Sequence, residues 1–288
     1  MLNEPGTTAK ALLLSIRDLL IDVDGVLCHG DRPAPGLHRF FSFLRRRNIK
    51  FVLVSNNSGR SGQDLVEMFA SMGISTLEAS EVLPMCTIVA DFLEKTALSG
   101  SSVYVIGGPG LHNVVEERGF RLARSFEDGA DFVVVGTDHS LTYEKLLTAT
   151  LLIRAGAKFV GTNGDRAAPS DLGIGPGNGA TLAYLQAATD VEPLVLGKPE
   201  AEVFRQALSH LQASPEHTAI VGDRLQTDIL GGQRAGLKTI FILSGLQNEA
   251  DVEHLGIYPD LIFQDVGQLA DIWAEAFGDS IAEPDKQN

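Results

Sequence analysis

The sequence predicts an α/β protein: a parallel sheet flanked by helices, with a second α/β module inserted into it. Three observations carry this expectation. Short β-rich runs alternate with longer helical patterns, as βαβ units require. The middle stretch, residues 83–190, repeats that alternation on its own account and is too long and too ordered to be a loop. Several apolar runs end in Asp, Ser or Lys, at the carboxyl ends of strands where open α/β sheets place their ligands.

Taken in order, "LLIDV" (residues 19–23) reads as the first strand and "PGLHRFFSFLRRR" (35–47) as the helix that follows it. Arg45, Arg46 and Arg47 close that helix, where cations complement its dipole, and read as a solvated helix end. "FVLVS" (51–55) is the next strand and "SGQDLVEMFASMG" (61–73) the next helix. Inside the middle module "SVYVIGG", "DFVVVGT" and "KFVGTNGD" read as strands, "LTYEKLLTATLLIRAG" as a helix, and "SDLGIGPGNGA" as a Gly- and Pro-rich close. Alternation resumes after residue 193 with "VLGKPE" and "AIVGDRLQTDILGGQRAG". The expected division is residues 1–82 and 191–288 for the two parts of the main domain and 83–190 for the insert, with "AEPDKQN" as a frayed tail.

Bulk properties narrow the function. Of the 288 residues, 44% are hydrophobic and 21% charged, as in a soluble globular chain. A formal charge of -14 disfavours nucleic acid, whose affinity comes from Lys and Arg neutralising phosphates. The two cysteines, Cys28 and Cys86, form no zinc-type pair and no disulfide framework. Arg17 and Asp18 interrupt the apolar amino-terminal run, and no stretch is long enough to span a bilayer, so the expected location is the cytoplasm.

The chemistry starts at "LLIDVDGVLCHG", where Asp22 and Asp24 follow an apolar run. The bland reading is a polar turn; the sharper one is a metal and nucleophile site. Asp223, after "TAIV", would converge with Asp22 and Asp24 at one sheet edge, and Asp228 follows on the opening turn of a helix that stops at Gly236. Carboxylate and carbonyl oxygens suit Mg²⁺, while the spacing after Asp24 does not match a helix-loop-helix calcium site. Ser55 and Asn56, at the second strand end, offer a hydroxyl, an amide and backbone N–H groups to phosphoryl oxygens, although such a run also makes ordinary turns. Lys198, between Gly197 and Pro199, reads as a fixed ammonium at a helix start.

Asp-x-Asp-Gly-Val, Ser-Asn-Asn-Ser, Gly-Lys-Pro and Gly-Asp-Arg-Leu-x-Thr-Asp, in that order, resemble the four motifs of the haloacid dehalogenase superfamily, within its subfamily IIA of NagD-like and 4-nitrophenylphosphatase-like enzymes. The resemblance implies a Rossmann-like core with an inserted α/β cap of the C2 type between the second and third motifs. It implies a Mg²⁺-dependent phosphatase of small phosphate monoesters working through a phosphoaspartate. Asp22 would be the nucleophile and Asp24 the general acid and base that also gives a backbone carbonyl to the metal. Asp22, Asp24 and Asp223 would hold Mg²⁺, with Asp228 supporting that site from behind or ligating directly. Ser55, Asn56 and Lys198 would bind the phosphoryl group.

"GTNGDRAAPSDLGIGPGNGA" is similar to the family's cap substrate loop but has Gly164 where Pro is frequent. Asn163, Asp165 and Arg166 therefore either read the leaving group or shape a turn. Cys28 and His29 match no catalytic position, which leaves them packing or rim roles. The expected partner is a small phosphorylated metabolite, with neither nucleic acid nor membrane, and the resemblance extends to homodimers formed through the cap. A phosphotransferase using the same phosphoaspartate and a non-catalytic phosphometabolite-binding protein are the alternatives; intact Asp22 and Asp24 argue against the second.

Overall fold

The computed structural model describes residues 7–170 and 173–279, so the expected tail "AEPDKQN" lies outside the described residues. Among these residues the chain forms two compact units. One comprises residues up to Leu53, Glu67–Glu81 and the chain from Ala207 onward; the other comprises Val54–Val66 and Val82–Gln206.

In the first unit the parallel sheet that the alternation predicts runs in the spatial order Leu261–Phe263, Lys238–Ile242, Thr218–Gly222, Asp18–Ile21 and Lys50–Ser55, the last as far as Leu53. Ile21 is in register with Val221 on one side and with Leu53 on the other. The inner strands are buried on both faces, and for this reason their sequences are continuous apolar runs rather than alternating ones. From Asp18–Ile21 the chain moves first to one side, then returns on the other at Thr218–Gly222. The order therefore reverses between these two strands, and their carboxyl ends carry Asp22 and Asp223. A crevice at such a reversal is where open α/β sheets bind ligands.

Helix Leu37–Arg47 buries Leu37, Phe40, Phe41, Phe43 and Leu44, a stripe at helical spacing. It packs on helix Val266–Ala276, with the Phe43 and Trp273 rings 5.3 Å apart. The basic helix end is less solvated than its sequence suggests. Arg45 pairs with Glu81 and stands over the Phe51 ring, and Arg47 pairs with Asp279 and stands over Phe277. Planar guanidinium groups can satisfy a carboxylate and an aromatic face together, which a count of charges does not reveal.

The second unit has its own parallel sheet, ordered Leu194–Val195, Lys158–Gly161, Phe132–Val135, Ser102–Ile106, Arg121–Ala123. Val135 is in register with Ile106 and with Gly161. Ile106, Val133, Val135 and Phe159 pack with Leu152 and Ile153 of helix Tyr143–Arg154 and Leu182 and Leu185 of helix Asn178–Thr189. An antiparallel pair, Ala167–Ser170 with Gly173–Pro176, stands apart from this sheet. Among the described residues no helix is long and apolar enough to cross a membrane.

Asp138 fastens the turn beyond strand Phe132–Val135. Burial pushes its carboxyl up, but the Lys145 ammonium at 2.7 Å and the Ser140 hydroxyl and N–H, each at 2.8 Å, pull it further down, and the net position is below the usual carboxylate value. A depressed folded value contributes stability above the unfolded carboxylate range that is lost as pH falls through the folded value. Asp138→Asn is therefore expected to lower the thermal midpoint at pH 7, with the gap from the parent closing below about pH 4; a gap that stays constant with pH would exclude the ionic contribution.

Candidate active site

Asp22, immediately after strand Asp18–Ile21, donates its backbone N–H to the Val221 carbonyl at 2.9 Å, which keeps it in the sheet's hydrogen-bond pattern. The chain then turns back on itself. Leu27 N–H donates to the Val23 carbonyl and Gly25 N–H to the Cys28 carbonyl, at 3.0 and 2.8 Å. Gly25 has φ of +92, a conformation L side chains rarely adopt, and a Cβ there would stand 2.3 Å from Asp223 Oδ2. The Asp-x-Asp-Gly spacing thus has two physical causes: a tight turn, and the passage of a second carboxylate against it. The Ser244 hydroxyl donates to the Gly25 carbonyl at 2.8 Å and ties this turn to the segment after strand Lys238–Ile242.

Asp22, Asp223 and Asp228 come together. Each presents a carboxylate oxygen, and these lie within 4.8 Å of one another. The three residues are 7%, 1% and 1% exposed. Asp223 accepts from Leu246 N–H at 3.2 Å, and Asp228 from Arg224 N–H at 3.1 Å. Asp228 sits on a wide helical turn, Leu225–Ile229, that leads into helix Leu230–Arg234. Three like charges buried this closely repel, and a hard divalent cation with oxygen ligands relieves that repulsion. The donor set fits Mg²⁺ in number and chemistry. Asp24 is exposed and lies outside this cluster, its backbone bridged to Cys28.

A second group assembles in the other unit. Strand Lys50–Ser55 ends in buried Ser55, whose hydroxyl accepts from Asn57 N–H at 3.1 Å. Lys198 is 2% exposed, on the turn that precedes helix Ala201–Leu211 rather than on the helix itself. Its ammonium donates to the Val54 carbonyl at 3.2 Å, and its backbone N–H and carbonyl both meet the Asn56 side chain. The Asn163 side chain donates to the Asn56 carbonyl at 2.8 Å, and Asp165 accepts from Asn56 Nδ2 at 3.3 Å. The structure thus gathers Asn56, Asn163, Asp165 and Lys198, while Arg166 is exposed. Gly164 has open space where a Cβ would go, so nothing around it demands glycine. Cys28 is fully buried, and His29 is exposed.

Some participants were not singled out in the sequence. Gly245, on the turn after strand Lys238–Ile242, is one: a Cβ there would fall 1.9 Å from Asp223 Oδ2. Its signal was present, since "FILSG" ends an apolar run in Ser-Gly just as the chosen segments do. Asn178 is another. Its Nδ2 lies 2.9 Å from the Asn163 carbonyl, 3.1 Å from the Val135 carbonyl and 3.3 Å from Thr162 Oγ1, but within "GPGNGA" it reads only as loop.

Comparison with known proteins gives the family of the chain. Residues 19–121 match the family model described as haloacid dehalogenase-like hydrolase, and residues 195–269 match a second model of the same haloacid dehalogenase type. An acid sugar phosphatase of Staphylococcus saprophyticus is 36% identical over 250 residues, 87% of this chain and 95% of that protein. The solved 4-nitrophenylphosphatase of Thermotoga maritima superposes with a TM-score of 0.84 at 33% identity, covering 90% of this chain and 98% of its own. The glycerol phosphate phosphatase of Mycobacterium tuberculosis, solved in complex with magnesium, superposes with a TM-score of 0.83 at 32% identity, covering 90% of this chain and 77% of its own.

The glycine at 245 supplies a test of the carboxylate cluster. Gly245→Ala is expected to push Asp223 aside and weaken Mg²⁺ binding by about 10- to 100-fold in calorimetric titration, with the circular dichroism spectrum retained. Parental affinity in that variant would remove Asp223 from the cation's ligands.

Proposed function

Since the chain belongs to the haloacid dehalogenase-like hydrolases, as a phosphatase of their 4-nitrophenylphosphatase-like subgroup, we propose that it hydrolyses a small sugar or polyol phosphate through a phosphoaspartate on Asp22, with Mg²⁺ as cofactor. The observation that carries the proposal is the buried convergence of Asp22, Asp223 and Asp228 at the carboxyl ends of adjacent strands. The substrate class is supported by the acid sugar phosphatase and glycerol phosphate phosphatase relatives, and the cation by the magnesium in the latter.

In this reading Asp22, Asp223 and the backbone carbonyl of Asp24 would hold Mg²⁺, and Asp228 would hold it directly or steady the other ligands. When bound, the cation supplies positive charge that offsets repulsion between the nucleophile and the phosphoryl oxygens. An Asp22 carboxylate oxygen attacks phosphorus in line, forming a P–O bond to Asp22 as the P–O bond to the leaving group breaks. The Asp24 carboxyl protonates the departing oxygen. The same group, now a carboxylate, takes a proton from the water that attacks the phosphoaspartate, which releases inorganic phosphate and restores Asp22. Its exposure suits a group that exchanges protons with leaving group and solvent. Ser55 and the Lys198 ammonium would bind the transferring phosphoryl oxygens, since a fixed positive charge acts most strongly in the transition state.

The expected insert, residues 83–190, lies wholly within the second unit, which also carries Ser55, Asn56 and Lys198, and we assign the insert alone the role of a cap whose loop, Asn163 to Asp165, reads the leaving group. Exclusion of water and contacts to the sugar come from such a cap, while the phosphoryl chemistry stays with the motif residues.

With 4-nitrophenyl phosphate and a panel of sugar phosphates, Asp22→Asn is expected to lower phosphate release by at least about 10³-fold. Chelation should abolish turnover of the parent, and added Mg²⁺ should restore it. Undiminished release by Asp22→Asn would overturn the nucleophile assignment, and full activity after chelation would overturn the cofactor.

A further inference from the structure

Asn56 makes an unusual set of contacts for a residue expected to bind phosphate. Its Oδ1 accepts from the Lys198 backbone N–H at 2.9 Å, and its Nδ2 donates to the Lys198 carbonyl at 3.1 Å. One carboxamide thereby satisfies both main-chain groups of a single residue, as a strand partner would. The same Nδ2 lies 3.3 Å from Asp165 Oδ2, and the Asn56 carbonyl accepts from Asn163 Nδ2 at 2.8 Å. Asn163 Oδ1 in turn accepts from the Asp165 backbone N–H at 3.1 Å. Gly197 makes this approach possible, because a Cβ there would stand 2.8 Å from Asn56 Oδ1 and 2.6 Å from the Thr162 carbonyl.

From this geometry we infer that Asn56 is a positioning residue: its carboxamide clamps the backbone of Lys198 and links it to Asp165 of the substrate loop, while its main-chain carbonyl meets Asn163. The inference rests on the reading of Lys198 as the ammonium that faces the phosphoryl group. Lys198 carries a long side chain with several rotatable bonds, so an ammonium placed to within a fraction of an ångström needs a fixed root. The Asn56 clamp fixes the root, and the Val54 carbonyl, 3.2 Å from Nζ, fixes the tip. Because Asp165 shares the clamp, a leaving group that engages the loop acts on the same hydrogen bonds that set the Lys198 backbone. Loop and ammonium are therefore coupled through one side chain.

The test is a double-mutant cycle on the full chain with 4-nitrophenyl phosphate as substrate and orthovanadate as the phosphoryl transition-state probe. Asn56→Ala is expected to lower kcat/KM by about 10- to 100-fold and to weaken vanadate inhibition by a similar factor, with an unchanged circular dichroism spectrum. Added to Lys198→Ala it should cost little more, because a residue that acts through Lys198 has nothing left to position. Asn56→Asp keeps the side chain's shape and its acceptor for the Lys198 N–H but loses both donated bonds; it should show the same non-additivity, and it carries the cycle should the alanine variant not fold. Multiplicative losses in the double variant, or parental kinetics in both Asn56 variants, would overturn the positioning role while Lys198→Ala still shows its loss. Parental turnover by Lys198→Ala would instead overturn the reading of Lys198 on which the inference rests.

Discussion

The constraint on which the candidate site depends is the burial of three carboxylates at one point. Removing a single ionised carboxylate from water costs on the order of several kcal/mol even after the protein relaxes, and Asp22, Asp223 and Asp228 approach within 4.8 Å of one another as well. Much of the surrounding architecture follows from accommodating them. Parallel strands buried on both faces hold Asp22 and Asp223 at the reversal of strand order, while backbone N–H groups of Leu246 and Arg224 turn toward Asp223 and Asp228. Glycines at 25 and 245 leave room where any side chain would collide with Asp223. Oxygen donors gathered in this way are what a divalent cation would take as ligands. The same positive charge is what an anionic nucleophile needs in order to approach an anionic phosphate.

In the proposed mechanism the positive charge of Lys198 is placed by different means. Lys198 is placed by hydrogen bonds to its main chain, and the donors and acceptors come from Asn56, itself tied to the loop at Asn163. A carboxamide suits this task because it donates and accepts at once and carries no charge. An Asp in its place would repel Asp165, and a Ser could not span both main-chain groups of Lys198.

Legibility in the sequence follows the range of the interactions. Strands and helices were readable because alternation and helical stripes are local, as in the Phe-rich face of Leu37–Arg47. Asp22, Ser55, Lys198 and Asp223 were readable as candidates because each ends or directly follows an apolar run. The clustering of Asp228 with Asp22 was harder to read. It depends on the wide turn Leu225–Ile229, whose extra residue per turn redirects the side chain in a way that spacing does not announce. Asn56, Gly245 and Asn178 owe their parts to residues far off in the chain: Asn56 meets Lys198, and Asn178 meets Val135. Such long-range polar satisfaction leaves no periodic trace. The arginines at 45–47 show the same limit, since the carboxylates and rings that hold two of them lie outside their helix.

The Gly- and Pro-rich stretch that closes the middle module has a structural reason, which bears on the loop proposed to read the leaving group. A Cβ at Gly177 would fall 2.2 Å from the Asp165 carbonyl oxygen, and one at Gly179 would fall 2.3 Å from that of Gly164. Gly179 N–H donates to the Asp165 carbonyl at 2.8 Å, and Asn178 between them reaches the carbonyls of Asn163 and Val135. The main chain of the loop thus lies directly on the start of helix Asn178–Thr189, with no side chains interposed. Its backbone is fixed from beneath by glycines and one buried asparagine, while the positions at 164 and 166 are exposed. Such a design separates two demands on one segment. The backbone path, which carries the contact of Asn163 with Asn56, is held constant, and the outward positions can differ in side chain without disturbing it. Gly164, which meets nothing within 4 Å of where its Cβ would be, is the position where that freedom is greatest.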